Sequence, residues 1–266
     1  MRLRSILLLL VLLLAGAGYL LSQPRWLFAL ATRLYPGALY YSAHHHSEDE
    51  LPERTPRLVA LTIDDGPGPY TQDILSLLAR YDAKATFFNI SEHLPGYEAV
   101  VTQAVQEGHE LGNHLTADEP SILMSESEFE TDLLAAEAAL LPFTETKDAE
   151  TGITPKWLRP GMGFYTPGMV MTAQRYGYHL VLGNNFPYDT HIPSPRFARS
   201  FILGKVQPGD IIVLHDGQGE SEQRGDRTLE TLKTILPILK NRGYSVTTLS
   251  ELAAVDQTSS SCQQLC

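Results

Sequence analysis

Cysteine is nearly absent from this chain, and basic charge is scarce. Of its 266 residues only Cys262 and Cys266 are cysteines, both at the C-terminal end behind Gln257-Thr258-Ser259-Ser260-Ser261. That placement excludes a disulfide-stapled core and a cysteine-rich metal centre. It leaves room only for a local or intermolecular disulfide in an oxidising compartment, and residues 254–266 read as a flexible tail. Lysine and arginine number 20 against 31 acids, for a net charge of −11. Such a chain is repelled by phosphate backbones and by anionic membrane surfaces, so no nucleic acid is expected as a partner.

What is present begins with a targeting signal. Met1-Arg2-Leu3-Arg4-Ser5 is basic, and Ile6 to Leu21 is apolar apart from small residues and Tyr19. Residues 1–22 therefore read as a secretory signal or a signal-anchor transmembrane segment. Ala15-Gly16-Ala17 fits a cleavage site, whereas the continued apolar run and the aromatic residues Trp26, Phe28, Tyr35, Tyr40 and Tyr41 favour an anchor. Either way the rest of the chain is expected outside the cytoplasm, secreted or held at the membrane. Residues 23–56 read as a membrane-proximal segment and polar linker. Its His44-His45-His46 triplet beside acids is read as solvated rather than metal-binding.

From Arg57 strand-like and helix-like segments alternate. Leu58–Ile63 precedes a helical pattern over Tyr70–Tyr81, and Ala85–Asn89 precedes another over Tyr97–Glu107. A longer amphipathic stretch covers Glu126–Leu141, and Ile211–His215 precedes a helix over Leu229–Asn241 and a strand over Ser245–Leu249. Repeated strand-then-helix order over residues 57–253 predicts an α/β fold in one domain, a parallel sheet with helical crossovers, open or closed into a barrel. Asn89-Ile90-Ser91 is a glycosylation sequon, but it ends a predicted core strand and reads as structural.

The polar signals fall at strand ends, where barrel enzymes place their chemistry. Leu58 to Ile63 runs into Asp64-Asp65-Gly66-Pro67. Neighbouring strand residues face opposite ways, so two acids meet at one site only where the strand breaks, and Gly66-Pro67 is read as that break. Farther on, His114 and Asp118 are four apart in Gly108-His109-Glu110-Leu111-Gly112-Asn113-His114-Leu115-Thr116-Ala117-Asp118. On a helical turn they would share a face and could hold one metal ion, with Asp65 as a third ligand and positions left open for water.

These residues resemble the polysaccharide deacetylases, carbohydrate esterase family 4, also called the NodB-homology group. Thr62-Ile63-Asp64-Asp65-Gly66-Pro67 is similar to the family's first motif, and Gly108 to His114 opens its second. Lys84-Ala85-Thr86-Phe87-Phe88, Leu158-Arg159-Pro160, Ile212-Val213-Leu214-His215-Asp216 and the stretch Gly243–Leu252 resemble further family stretches, in family order. The resemblance implies a distorted (β/α) barrel of the polysaccharide deacetylase type as a single domain. It also implies Asp64 as general base, Asp65, His114 and Asp118 as metal ligands, Arg159 as the holder of the base and His215 as general acid.

Three departures from the family pattern stand out. Asp118 takes the place of a histidine, making the ligand set richer in oxygen; Zn²⁺ is the expected ion, with Mn²⁺ or Co²⁺ as alternatives. The third motif reads Arg159-Pro160-Gly161-Met162-Gly163, which leaves the backbone NH of Met162 to help hold an oxyanion. In Leu182 to His191, ungapped placement sets Asp189 as the partner of the catalytic histidine and leaves Phe186 or Tyr188 to wall the acetyl pocket. The implied activity is metal-assisted removal of acetyl groups from an N-acetylated glycan of chitin, chitooligosaccharide or peptidoglycan type, by a monomer. The alternatives are an O-acetyl esterase or small-amide hydrolase on the same fold and a non-catalytic, membrane-tethered carbohydrate-binding protein. His93, His109, His179 and His191 are assigned no chemistry.

Overall fold

The computed structural model describes residues 16, 18–42, 57–144, 156–217 and 224–255. The expectations for most of the N-terminal apolar run, for His44-His45-His46 and for Cys262 and Cys266 lie outside the described residues. Helix α1 (Arg25–Leu34) belongs to a first compact unit that ends at Pro36. Among the described residues no helix is long and apolar enough to cross a membrane.

The second unit, from Gly37, is built on an eight-stranded sheet. Strands β1 (Ala38–Leu39), β2 (Arg57–Gly66), β3 (Thr86–Asn89), β4 (Glu110–Asn113), β5 (Lys156–Leu158), β6 (Tyr178–Val181) and β7 (Ile211–His215) lie in the order β1-β6-β5-β4-β3-β2-β7. Strand β8 (Tyr244–Thr247) pairs with the first half of β2 and β3 with its second half, and every strand pair is parallel. Past β6 the chain returns to β7 through a bridge from Asn185 to Ile212, which carries the sheet round toward closure. Helices α2 (Thr71–Arg80), α3 (Glu98–Gln106), α4 (Glu126–Thr144), α5 (Pro167–Arg175), α6 (Pro195–Lys205) and α7 (Arg224–Asn241) accompany the strands. This is the curled, parallel, helix-wrapped sheet expected of the family. The sheet reaches upstream of Arg57, because β1 pairs with β6 and Tyr41 bridges Asp210.

Strand alternation sorts the core. Leu61 and Ile63 of β2 and Ile212 and Leu214 of β7 pack outward against Ile74, Leu75 and Leu78 of α2 and Leu232, Ile235, Leu236 and Leu239 of α7. Each such fully buried aliphatic side chain contributes about 1.5–3 kcal/mol. The opposite face supplies a second cluster: Ala60, Phe88, Trp157, Val181 and Ile211, plugged by Leu249 and Leu252 from a last helical stretch at residues 249–255. Beneath it the half-buried Glu110 accepts from Trp157 Nε1 at 3.0 Å, Thr86 Oγ1 at 2.7 Å and Ser250 N at 3.3 Å. Burial pushes its carboxyl up despite these donors. The strand starts are thereby tied together, and the strand ends are left for the site.

Candidate active site

The face that carries Ala60 carries Thr62 and Asp64 two and four residues later. On the neighbouring strand the same face carries Ile211, Val213 and His215, and the parallel register sets Asp64 directly beside His215. Asp64 Oδ2 and His215 Nε2 lie 3.9 Å apart. Each has its own positioning partner. Arg159, immediately after β5, donates from Nη1 to Asp64 Oδ1 at 2.6 Å and to Thr62 Oγ1 at 2.8 Å, and from Nε to the Val181 carbonyl at 3.1 Å. Its guanidinium lies over the Phe88 ring, 4.2 Å from the centroid. Asp189 clasps His215 twice, accepting from its backbone N and from Nδ1, both at 3.0 Å. Burial alone would lower the His215 pKa, but Asp189, with Asp65 and Asp64 behind it, outweighs burial and pushes it up to about 9.

Asp65 reaches the same site by a different route. Strand β2 ends at Gly66, at the expected Gly66-Pro67 break, but the two acids are brought together just before it, where the register against β3 shifts between Asp64 and Gly66. At that irregularity Asp65 adopts φ +65°, which turns the second acid back to the side of the first. His93, assigned no chemistry from sequence, braces this conformation by donating from Nδ1 to the Asp65 carbonyl at 2.8 Å.

His114 follows β4, and its Nδ1 donates to the Arg159 carbonyl at 2.7 Å. Its Nε2 faces Asp65 Oδ1 at 3.2 Å; burial works against a charged ring, but Asp65 and Asp64 raise the His114 pKa, so in the absence of a metal the protonated Nε2 donates to Asp65. A divalent ion that displaced this proton would find Nε2 and Oδ1 at a span that suits two ligands of one ion bound at about 2.0–2.2 Å. In this pair the residues fit a divalent metal. Among the described residues, though, no group of three His, Cys, Asp or Glu side chains is gathered as a metal site.

Asp118 stands off from this pair. The helical turn expected to align it with His114 does not form: Leu115 takes φ +67°, its NH bonds Asn113 Oδ1 at 2.8 Å, and residues 116–119 follow as bends. Asp118 instead lies 3.9 Å from Nη1 of Arg224, the first residue of α7, and the same nitrogen donates to Asp65 Oδ2 at 3.0 Å. Burial works against ionising Asp65, but the His114 bond and the positive fields of His215, His114 and Arg224 hold its carboxyl well below the usual range. Arg224 escaped the sequence reading because that reading began the helix at Leu229. The preceding residues, Arg224-Gly225-Asp226-Arg227-Thr228, carry no apolar period.

Two candidate substrate contacts remain. Met162 sits at φ +60° in the short turn Gly161–Gly163, with its side chain exposed. Gly161 is required there: a Cβ would fall 2.0 Å from the Glu119 carbonyl oxygen, so the segment carrying Asp118 presses on the turn carrying Met162. Tyr188 packs on Phe186 with ring centroids 5.1 Å apart, and Phe186 is the ring that meets His215, at 5.6 Å. His109 is buried and accepts from the Ala85 NH at 3.1 Å, a structural bond; His179 lies on Trp157 and His191 against Thr190.

Comparison with known proteins bears on the same residues. The polysaccharide deacetylase family profile matches residues 52–181. A peptidoglycan-N-acetylglucosamine deacetylase of Bacillus cereus is 35% identical over 199 residues, covering 74% of this chain and 88% of that one. The chain belongs to the polysaccharide deacetylase family. A chitooligosaccharide deacetylase of a Bradyrhizobium species is 31% identical over 205 residues, 74% of this chain and 90% of its own. Among solved structures, a mutant of a CE4 family pseudoenzyme with restored enzymatic activity superposes with a TM-score of 0.67 at 25% identity, over 82% of this chain and 71% of that one. Polysaccharide deacetylases thus include members that carry the fold without the activity, so the side chains at the strand ends decide between the two.

Proposed function

We propose that this protein removes acetyl groups from N-acetylated hexosamines of a glycan of peptidoglycan or chitooligosaccharide type. The observation that carries the reading is the facing pair Asp64 and His215, each held by its own partner, Arg159 and Asp189. Asp65 and His114 would hold a divalent metal, with Asp118 as a third donor, and Zn²⁺, or else Mn²⁺ or Co²⁺, suits that set. When bound, such an ion supplies Lewis acidity, acidifying water and polarising the acetyl carbonyl.

The chain's own residues do the rest. Asp64 Oδ2, the oxygen not taken by Arg159, accepts a proton from the attacking water. Attack makes the new C–O bond, and the backbone NH of Met162 is the proposed donor to the oxygen that gains charge. Collapse breaks the C–N bond, and His215 Nε2 delivers its proton to the departing nitrogen, giving acetate and a free amine. A His215 pKa of about 9 keeps the acid loaded at neutral pH. Phe186 and Tyr188 supply the apolar wall for the acetyl methyl. The basic and apolar start of the chain, residues 1–22, supports placing this domain outside the cytoplasm, anchored or secreted.

Acetate release from chitooligosaccharides and from peptidoglycan strands, with and without a chelator, tests the reading. The wild type should release acetate and lose that activity in chelator, whereas D64N should release almost none. Equal release by D64N would sink the mechanism. Tight binding of these glycans with no release from any of them would favour a carbohydrate-binding role.

A further inference from the structure

We propose that Arg224 is a built-in rival for the metal: its guanidinium holds the two carboxylates a divalent ion needs and so raises the free-metal level at which the site fills. The inference rests on the metal assignment above but concerns a residue outside it. One nitrogen, Nη1, addresses both acids, 3.0 Å from Asp65 Oδ2 and 3.9 Å from Asp118 Oδ2. Of the three candidate donors, only His114 lacks a contact with this cation.

The placement is built into the fold. Gly225 lets the start of α7 lie against Asp216 and Tyr70, since a Cβ there would fall 2.4 Å from Asp216 Oδ1 and 2.9 Å from Tyr70 Cβ. One turn later Thr228 Oγ1 donates to the His215 carbonyl at 2.7 Å. Backbone and first turn are thus pinned at the end of β7, and the Arg224 side chain, 21% exposed, extends into the site.

The chemistry of the side chain makes it an effective competitor. A guanidinium does not deprotonate, so its positive charge stays beside the acids at every pH at which they could bind a metal. An incoming divalent ion must push it aside or bind next to a positive charge in a partly desolvated cleft, and either route weakens binding. With Arg224 in place the two acids offer a net single negative charge. Without it they offer two.

The test is zinc affinity of the full-length, chelator-stripped chain, measured by competition with a chromophoric zinc chelator. R224Q removes the charge at similar size and should bind Zn²⁺ about tenfold more tightly or better, because a unit charge near a divalent ion repels it by at least about that much even at water's dielectric, whereas R224K should stay within about threefold of wild type. Equal or weaker binding by R224Q, or an equal gain in R224K, overturns the proposal. Should R224Q fail to fold, the wild type still decides: the Arg224 Nε–H resonance, identified by its loss in R224K, should move as zinc fills the site, and a resonance unchanged at full occupancy overturns the inference. Zinc affinity is read without substrate. A chain that behaves as expected here yet releases no acetate would defeat the deacetylase reading alone.

Discussion

The two halves of the site are made in different ways. Asp64 and His215 lie on adjacent parallel strands in register, and their partners Arg159 and Asp189 close on them at 2.6 and 3.0 Å. Asp65, His114, Asp118 and Arg224 sit on a bulge, two loop positions and a helix start, and one of the four is a cation among the candidate ligands. Strand register leaves the proton-handling half little freedom. The cation half is assembled from segments that can be exchanged without disturbing the sheet. All three departures from the family pattern fall on loop segments: Asp118, Gly161-Met162, and the stretch after β6 that brings Asp189 to His215.

The largest expected effect lies in the rigid half. D64N should lower kcat/KM by about 10²- to 10⁴-fold, the scale of a lost general base, and because it leaves the buried Arg159 without its counter-charge it should also lower stability in urea unfolding. A loss under tenfold would break the comparison, since the register would then be holding a bystander. Next comes Arg159, buried and bonded to Asp64, Thr62 and Val181. R159M leaves the Asp64 charge buried without its partner and should cost about 3–5 kcal/mol in urea unfolding.

A smaller effect is expected where the loops meet. G161A drives a methyl into the Glu119 carbonyl and should cost about 1–3 kcal/mol by the same measurement. Zinc affinity should fall with it if the Asp118 segment is displaced. No change in either quantity would mean the loops yield independently. The smallest effect is a shift rather than a loss. His215 acts as an acid, and its pKa is raised to about 9, so activity should fall as pH rises through that value. D189N removes the main raising influence and should move this alkaline limb to lower pH. Linkage gives a matching sign in stability. In chelator, the wild type should hold the stabilisation due to protonated His215 below about pH 6.5 and lose it as pH rises toward 9. D189N should show a weaker loss over that window.

The same division explains how far the sequence could be read. The strand and helix alternation, β7 over Ile211–His215, and the placing of Asp64 and His215 at strand ends were legible because buried strands and amphipathic helices write their periods into the chain. Asp65 was legible as a site residue, but the device that turns it was not. A bulge depends on pairing with β3 rather than on any local Gly-Pro signal. The His114–Asp118 turn was misjudged because spacing of four implies a shared face only on a helix, and Leu115 breaks into the left-handed region instead. Arg224 left no trace, since its turn buries no large apolar side chain and its place comes from contacts with Asp216, Tyr70 and His215 distant in sequence.

The pressure of Glu119 on Gly161 has a practical side for anyone changing what this protein accepts. Residues 116–123 and 161–163 meet at one van der Waals seam, so they form a single exchange unit. A graft that imports a relative's second-motif loop without its third-motif turn joins halves shaped for different neighbours, and a swap of both together keeps the seam intact.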